Sequence, residues 1–377
     1  MSRQRTYLDW NATTPLRPQA RAAMLAALDV AGNPSSVHAE GRAARALVEA
    51  AREQVAALAG ASPSEVVFTS GGTEANAWVL SADWDRVIVS EIEHPSVLVP
   101  AQARGPSSVR LIDTQREGAV DLGDLARALD HGKADRDLLS VQMANNETGV
   151  LQDVGAIAST GRERGAVVHT DAVQALGKVA VDFRALGVDY LSISAHKIGG
   201  PKGVGALIVR QGAALPALIT GGGQERRRRG GTENVAGIAG FGAAAEAAGR
   251  QLEEFARLRA LRDGLEREAK RLVPQAMIVA EQAPRLANTA CIALPGHKAE
   301  TLVIALDLAG VAVSAGAACS SGKVGPSHVL AAMGLEPAIA SSAIRVSIGW
   351  ETTERDVAAF LDAWAHVVAR RGERAVA

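Results

Sequence analysis

Aromatic side chains are scarce in this chain. Phe, Trp and Tyr make up 3% of its 377 residues, although the hydrophobic share is 47%. The core must therefore be built from Ala, Val, Leu and Ile, and few rings remain as platforms on which nucleic-acid bases could stack. Cysteine is scarcer still. With only Cys291 and Cys319, a disulfide scaffold is excluded at this size, and so is a four-cysteine zinc site. Charge of one sign is also missing: 40 Lys+Arg face 41 Asp+Glu, a formal net charge of −1. A nearly neutral chain gives no electrostatic argument for nucleic acid or an anionic membrane. Long apolar runs are absent. The longest uncharged stretch, Leu308–Gly322, is too short and too rich in Gly, Ala and Ser to span a bilayer. The opening "MSRQRTYLDWNATTP" has no apolar signal-peptide core. A cytoplasmic enzyme with no membrane partner and no direct nucleic-acid partner is the expectation. No G-x-G-x-x-G turn opens a first βαβ unit and no Walker loop occurs, so a dinucleotide site is a poor fit.

What is present is a regular alternation. Apolar periodicity predicts a long helix over Ser36–Leu58. After it come β-rich runs at Val66–Thr69, Arg86–Ser90, Val109–Ile112, Leu138–Met143, Ala166–Thr170, Tyr190–Ser194 and Val204–Val209. Helical patterns often separate them, which predicts an α/β unit: a large domain with a mainly parallel seven-stranded sheet covered by helices. The last two runs lie close together and read as a hairpin-like antiparallel edge. A charged helix from about Ala244 leads into a smaller C-terminal α/β unit. Its strands are expected near Ala276–Ala280, Thr289–Leu294 and Ala343–Ile348, and its helices near Ala299–Leu308 and Thr353–Val368. The boundary falls near Gly249, giving a large domain over 14–250 and a small one over 1–13 and 251–377.

In open parallel sheets, ligands sit beyond the carboxyl ends of the strands, and polar motifs occur at those ends here. "TSGGTEAN" follows the first run. Gly72 and Thr73 offer backbone N–H groups and a hydroxyl to a phosphate, or form an ordinary capped turn. "EIEHPSV" places His94 before Pro95, where a ring can lean over a ligand or serve structure alone. "MANNETG" supplies the amides of Asn145 and Asn146, which Asx turns also use. "HTDAVQALGK" ends its strand on Asp171, a carboxylate wanting a cationic partner or acting as a helix cap, with Gln174 just beyond. "SISAHKIGGPKGVG" frames Lys197 with glycines; a partly buried lysine has a lowered pKa and can act as an amine nucleophile, or the residue is an ordinary surface lysine of a βα turn. A phosphate cradle, an amine for an aldehyde, an acid for a ring cation and an imidazole able to stack are together the parts that pyridoxal phosphate requires.

These motifs resemble the NifS/IscS-type cysteine desulfurases, within the class V aminotransferase-like group of pyridoxal-phosphate-dependent transferases of fold type I. The likeness runs from "YLDWNATTP" through "GNPSSVHAEGRAAR", "FTSGGTEAN", "EHPSV", "NNETGV", "HTDAVQALGK", "SISAHKIGGPKGVGAL", "GGGQERRRRGGTENV" and "AGAACSSGKVGPSHVL" to "SSAIRVSIG". It implies that Lys197 holds pyridoxal 5'-phosphate covalently, that Asp171 pairs with the pyridine nitrogen, that Gln174 contacts the ring oxygen and that His94 stacks on the ring. Gly72, Thr73, Ser194 and His196 would hold the phosphate, and Thr232 would reach it from the neighbouring subunit of a homodimer. Asn146, Arg345 and Asn33 would orient the substrate, with Arg345 taking its carboxylate. One departure stands out: Trp10 in "LDWNATTP" replaces a small polar residue expected near the mouth of the site. The run Arg226–Arg229 reads as a solvated or interface loop.

The reaction follows from Cys319 in "SAGAACSSGK". By its residues alone Cys319 reads as a small buried thiol, the usual fate of a cysteine, or, given its small neighbours and nearby Lys323, as an exposed thiolate; the motif match selects the second, whereas Cys291 sits in a strand pattern and reads as core. The resemblance implies conversion of L-cysteine to L-alanine. Lys197 and His94 would move the Cα proton, and the sulfur would be captured as a persulfide on Cys319. It would then pass to an acceptor, such as an iron–sulfur scaffold, for cluster or other sulfur-containing cofactor or nucleoside biosynthesis. No standing metal site is implied, although Cys319 could transiently ligate iron through its persulfide. A selenocysteine lyase or a class V aminotransferase of small amino acids is the alternative.

Overall fold

A computed structural model describes residues 5–130, 136–316 and 326–375. Seven strands form its large sheet: β1 (Val66–Thr69), β2 (Arg86–Ser90), β3 (Val109–Ile112), β4 (Asp137–Ser140), β5 (Val167–Asp171), β6 (Tyr190–Ser194) and β7 (Gly205–Val209). Their spatial order is β1-β7-β6-β5-β4-β2-β3. Only β7 runs against the others. The expected antiparallel pairing of the last two runs is present, but it is not at an edge. β1 pairs with the far side of β7 and encloses it. An all-apolar strand such as "GALIV" is buried on both faces and suits an interior place.

Side chains alternate across this sheet with the strand period of two. Phe68, Ile88, Leu139, Val168, Leu191 and Ile208 point into one core, against the helices α2 (Ala39–Ala59) and α5 (Val235–Arg250). Val67, Val87, Leu138, Tyr190 and Leu207 point into the other, against α3 (Gly72–Ser81) and α4 (Pro95–Gln102). With so few rings to fill space, the helices must approach closely. A methyl added at Gly242 of α5 would stand 2.5 Å from the Ala51 Cα of α2.

Beyond α5 the charged stretch is not one continuous helix. It breaks after Arg250, where Phe255 turns inward and is buried, and resumes as α6 (Arg257–Leu272). A second sheet follows, ordered β10-β11-β9-β8 from β8 (Met277–Ile278), β9 (Thr289–Ala293), β10 (Ser314–Ala315) and β11 (Ala343–Ser347). With α6, α7 (Ala299–Leu308) and α8 (Glu354–Ala375) it buries a separate cluster around Leu265, Leu302, Phe360 and Trp364. The N-terminal segment joins the two units. Thr6–Tyr7 pairs with Val311–Ala312, Asp9 bridges to Ser347, and Thr14 and Arg17 then bond the backbone at His196 and Gly199 of the large unit.

Candidate active site

The parallel strands release their polar side chains at one end of the large sheet, as strand direction requires. After β1 the chain turns through Gly71 into α3, so Gly72 and Thr73 stand at that helix's positive end. Gly72 must be glycine for this fit, since a Cβ there would meet the Val173 side chain at 2.6 Å. After β2, His94 caps α4. Ser96 N–H donates to its Nδ1 over 3.1 Å, which leaves the proton of the neutral ring on Nε2. Burial holds this imidazole below its ordinary pKa; nearby Asp171 opposes that, and Lys197, His328 and Arg345 add to it.

β5 ends on Asp171. Its buried carboxylate accepts from the Asn76 amide over 2.7 Å and from Val173 N–H over 2.8 Å. β6 ends on Ser194 and enters a tight turn over Ala195–Lys197. The Lys197 ammonium donates to the carbonyls of Asn11 (2.5 Å) and Ala12 (2.9 Å). Gly199 lets the chain reverse here at φ +89°, a left-handed conformation that costs other residues. The His196 imidazole is pushed down to about 4 by burial and then by the nearby lysines 197, 202 and 178.

From the second sheet, β11 contributes Arg345, which is 2% exposed. Its guanidinium donates to Asn146 O (2.9 Å) and to Asp9 Oδ1 (2.8 Å), and its Nε is buried without a partner. Asn76 Oδ1 is likewise buried and unpartnered.

One cavity of about 360 Å³ gathers Gly72, Thr73, His94, Asn146, Asp171, Gln174, Ser194, His196, Lys197 and Arg345. Two expected residues lie elsewhere. Asn33 is exposed, its side chain accepting from Ser35 N–H in a loop before α2. Thr232 is exposed beside Ser70, Gly203 and Arg229, in a separate hollow of the same subunit. Cys319 and Lys323 lie outside the described residues. Trp10 is not at the mouth. It is buried at 4% exposure, donates to Tyr7 O, and stacks edge-on against Trp350, over which Arg17 lies at 3.8 Å. Cys291 is core, as expected; its thiol is fully buried and pushed up to about 12, chiefly by that burial.

The donor set fits pyridoxal phosphate. A helix end with Thr73, Ser194 and His196 suits a phosphate, a buried carboxylate suits a protonated ring nitrogen, and an amine suits an aldehyde. The orphaned Nε of Arg345 and Oδ1 of Asn76 are polar atoms on the cavity-lining residues with bonding capacity still unused.

The family model for class-V aminotransferases matches residues 6–360. Cysteine desulfurase IscS of Dictyoglomus turgidum is 41% identical over 97% of this chain and 95% of its own length. A cysteine desulfurase of Cereibacter sphaeroides is 43% identical over 95% and 94%. The NifS-like protein of Rickettsia africae superposes with a TM-score of 0.91 at 36% identity, covering 97% of this chain and 100% of that one. The chain belongs to the cysteine desulfurases of the class-V aminotransferase family.

Several cavity residues of this desulfurase carry no role in the motif reading. Asn11 is the busiest. Its backbone carbonyl accepts from Lys197 and from Gln174, while its side chain accepts from Lys178 and Asn288. Lys178 is buried and held well below its ordinary range, by burial first and by Lys197 and Arg345 next. It also donates to Gln174 Oε1 over 2.6 Å, so both ends of the Gln174 amide are engaged within the protein. Asn76 had a local signal: it lies four residues after Gly72, on the same face of α3. Lys178 had one as well, since it closes "HTDAVQALGK" four residues after Gln174; Asn11 had none, since its partners are distant in sequence.

Proposed function

We propose that the enzyme takes L-cysteine to L-alanine and captures the sulfur on Cys319. One observation carries this reading: Lys197, His94, Asp171 and Arg345, drawn from two sheets, line one cavity with a phosphate-suited helix end. Gly72, Thr73, Ser194 and His196 would hold the phosphate of pyridoxal 5'-phosphate, Asp171 its ring nitrogen and Lys197 its aldehyde carbon. When bound, that group supplies an electron sink for a carbanion at the substrate Cα.

The protein's own work is then specific. Arg345 binds the substrate carboxylate through its planar fork, with Asn146 beside it. The ring of His94, kept neutral by burial, stands ready to stack and to accept a proton. The amine of Lys197, aimed by two carbonyls, moves the proton at Cα. The Cys319 thiolate attacks the substrate sulfur. An S–S bond forms as the carbon–sulfur bond breaks, and the electron pair leaves on the carbon skeleton, which departs protonated as alanine. Thiol plus thiol gives persulfide plus C–H, so no outside oxidant is needed. The persulfide then passes to a sulfur-acceptor protein such as an iron–sulfur scaffold.

Thr232 would serve the partner's site in a homodimer, in keeping with its exposure away from its own cavity. The same reading divides the chain into 14–250 and 1–13 plus 251–377, the two parts having separate cores.

The test is mass spectrometry of the holoenzyme after brief exposure to L-cysteine. A 32-Da-class sulfur adduct confined to Cys319 is expected in the parent and absent in Cys319→Ala. Lys197→Ala should lose the visible band of the covalent cofactor, and turnover should fall by about 10⁴-fold or more. Sulfide release at the parent rate by Cys319→Ala would overturn the assignment.

A further inference from the structure

Glu147 is a buried carboxyl that the chemistry above does not use. It follows Asn146 in the "NNETG" turn, which Asn145 Oδ1 organises by accepting from Glu147 N–H and Thr148 N–H, each over 2.9 Å. The side chain is 2% exposed. Burying a carboxyl is costly unless something specific holds it. The Ser327 hydroxyl donates to Glu147 Oε2 over 2.5 Å. Ser327 in turn accepts from Leu330 N–H over 3.1 Å, so it is fixed from both sides. Gly316 packs on the same oxygen: a methyl added there would stand 3.0 Å from Glu147 Oε2 and 3.7 Å from Ser327 Cβ. Gly316 N–H is tied to Ala343 O over 3.1 Å. Burial raises the carboxyl to about 7, against the pull of Ser327 and of Arg345.

Gly316 and Ser327 are neighbours in space and far enough apart in sequence to bracket Cys319. Of the described residues that flank the intervening chain, Ser327 is bonded to this carboxyl and Gly316 lies close against it. The same carboxyl is one residue from Asn146, whose carbonyl holds Arg345. The point from which the thiol is delivered and the point that grips the substrate are thus built on adjacent residues of one turn.

We propose that Glu147 is a positioning residue for sulfur capture: it fastens Ser327 and abuts Gly316, the residues that flank the Cys319-bearing segment, at the turn that supports Arg345, and acts on delivery of the thiol rather than on proton transfer at Cα. The inference rests on the desulfurase reading above. Misplacing a reacting group by about 1 Å costs about 10²-fold. Loss of this anchor should therefore slow sulfur capture by about 10- to 100-fold while the earlier proton step keeps its rate.

Two readouts on holoenzyme separate the steps. Exchange of the alanine Cα proton in D₂O, followed by NMR, needs Lys197 and the cofactor but no thiol. Single-turnover persulfide formation from L-cysteine, followed by mass, needs Cys319 as well. Glu147→Ala and Ser327→Ala should each slow persulfide formation and leave exchange at the parent rate. Glu147→Gln keeps an acceptor for Ser327 and should recover most of the loss. Ser327→Ala tests the same contact from the other side if Glu147→Ala does not fold. Equal loss in both readouts, or no loss in persulfide formation, would overturn the proposal. Exchange without any persulfide in the parent protein would instead overturn the desulfurase reading.

Discussion

Two amines, those of Lys178 and Lys197, meet on one asparagine, and burial treats them differently. Lys178 is buried, its amine bonded to Asn11 and Gln174. Lys178→Met would leave Gln174 Oε1 buried without its donor. The expected loss is about 1–3 kcal/mol of stability, measured by urea unfolding, because an unsatisfied buried acceptor bears its full desolvation cost. The strand-end residues His94, Asp171 and Lys197 were legible from the sequence, because each follows an apolar run that fixes where it emerges. Asn11 was not, because its partners lie as far off as Asn288 and reach it only when the two units close together. Trp10 was misplaced for a similar reason. Its neighbours Arg17 and Trp350 draw it inward, and a Cβ on Gly349 would strike its ring at 2.0 Å.

At the scale of elements, apolar period set several limits, in strands buried on both faces such as β1 and β6 and in the half-exposed edge strand β3 alike. β1, β2, β3 and β6 and helix α7 have the limits the pattern predicts. β4 ends earlier than its apolar run. Val141 and Met143 still bond to β5, but Gln142 N–H turns instead to the buried Glu93 carboxylate. The arginine run was legible only as charge. In the structure Arg226 and Arg227 follow Glu225 in a left-handed stretch at φ 46°, 56° and 65° for residues 225–227. What holds that unfavourable turn is buried: Glu225 accepts from both Arg52 Nη atoms at 2.8 Å and from Phe68 N–H at 2.9 Å. Glu225→Ala removes the buried carboxylate from both Arg52 Nη atoms, leaving that charge only Glu49 and the Val66 carbonyl, and releases the turn. A cost of about 3–5 kcal/mol is expected, read as a lowered denaturation midpoint, and Arg52→Ala should behave alike.

For the molecule as a whole, buried titratable groups set a window of stability. His169 and His196 are pushed down to about 3 and about 4, chiefly by burial, from an ordinary value near 6.5. Below that value the unfolded chain takes protons that the folded one refuses, so their contribution is lost as pH falls from about 6.5 towards 4. Glu93 and Glu147 are raised to about 8 and about 7, again mainly by burial. Their contribution is complete below the ordinary carboxyl value and is lost as pH rises through about 7–8. Between about pH 4.5 and 6.5 the two effects offset each other, so the thermal midpoint should be nearly level there and fall beyond each end. Glu93→Gln should flatten the alkaline limb alone; an unchanged limb would show that the buried carboxyl does not govern it.

Because Asn11 N–H binds the Ser347 hydroxyl and Asp9 binds Arg345, these residues dock against partners made 336 positions later in the chain. The carbonyls of Asn11 and Ala12 that aim Lys197 are set only after that docking. A nascent chain halted before residue 345 can close its seven-stranded sheet yet still lack a properly aimed amine. Coenzyme capture then becomes a natural signal that the strand carrying Arg345 has been made and docked.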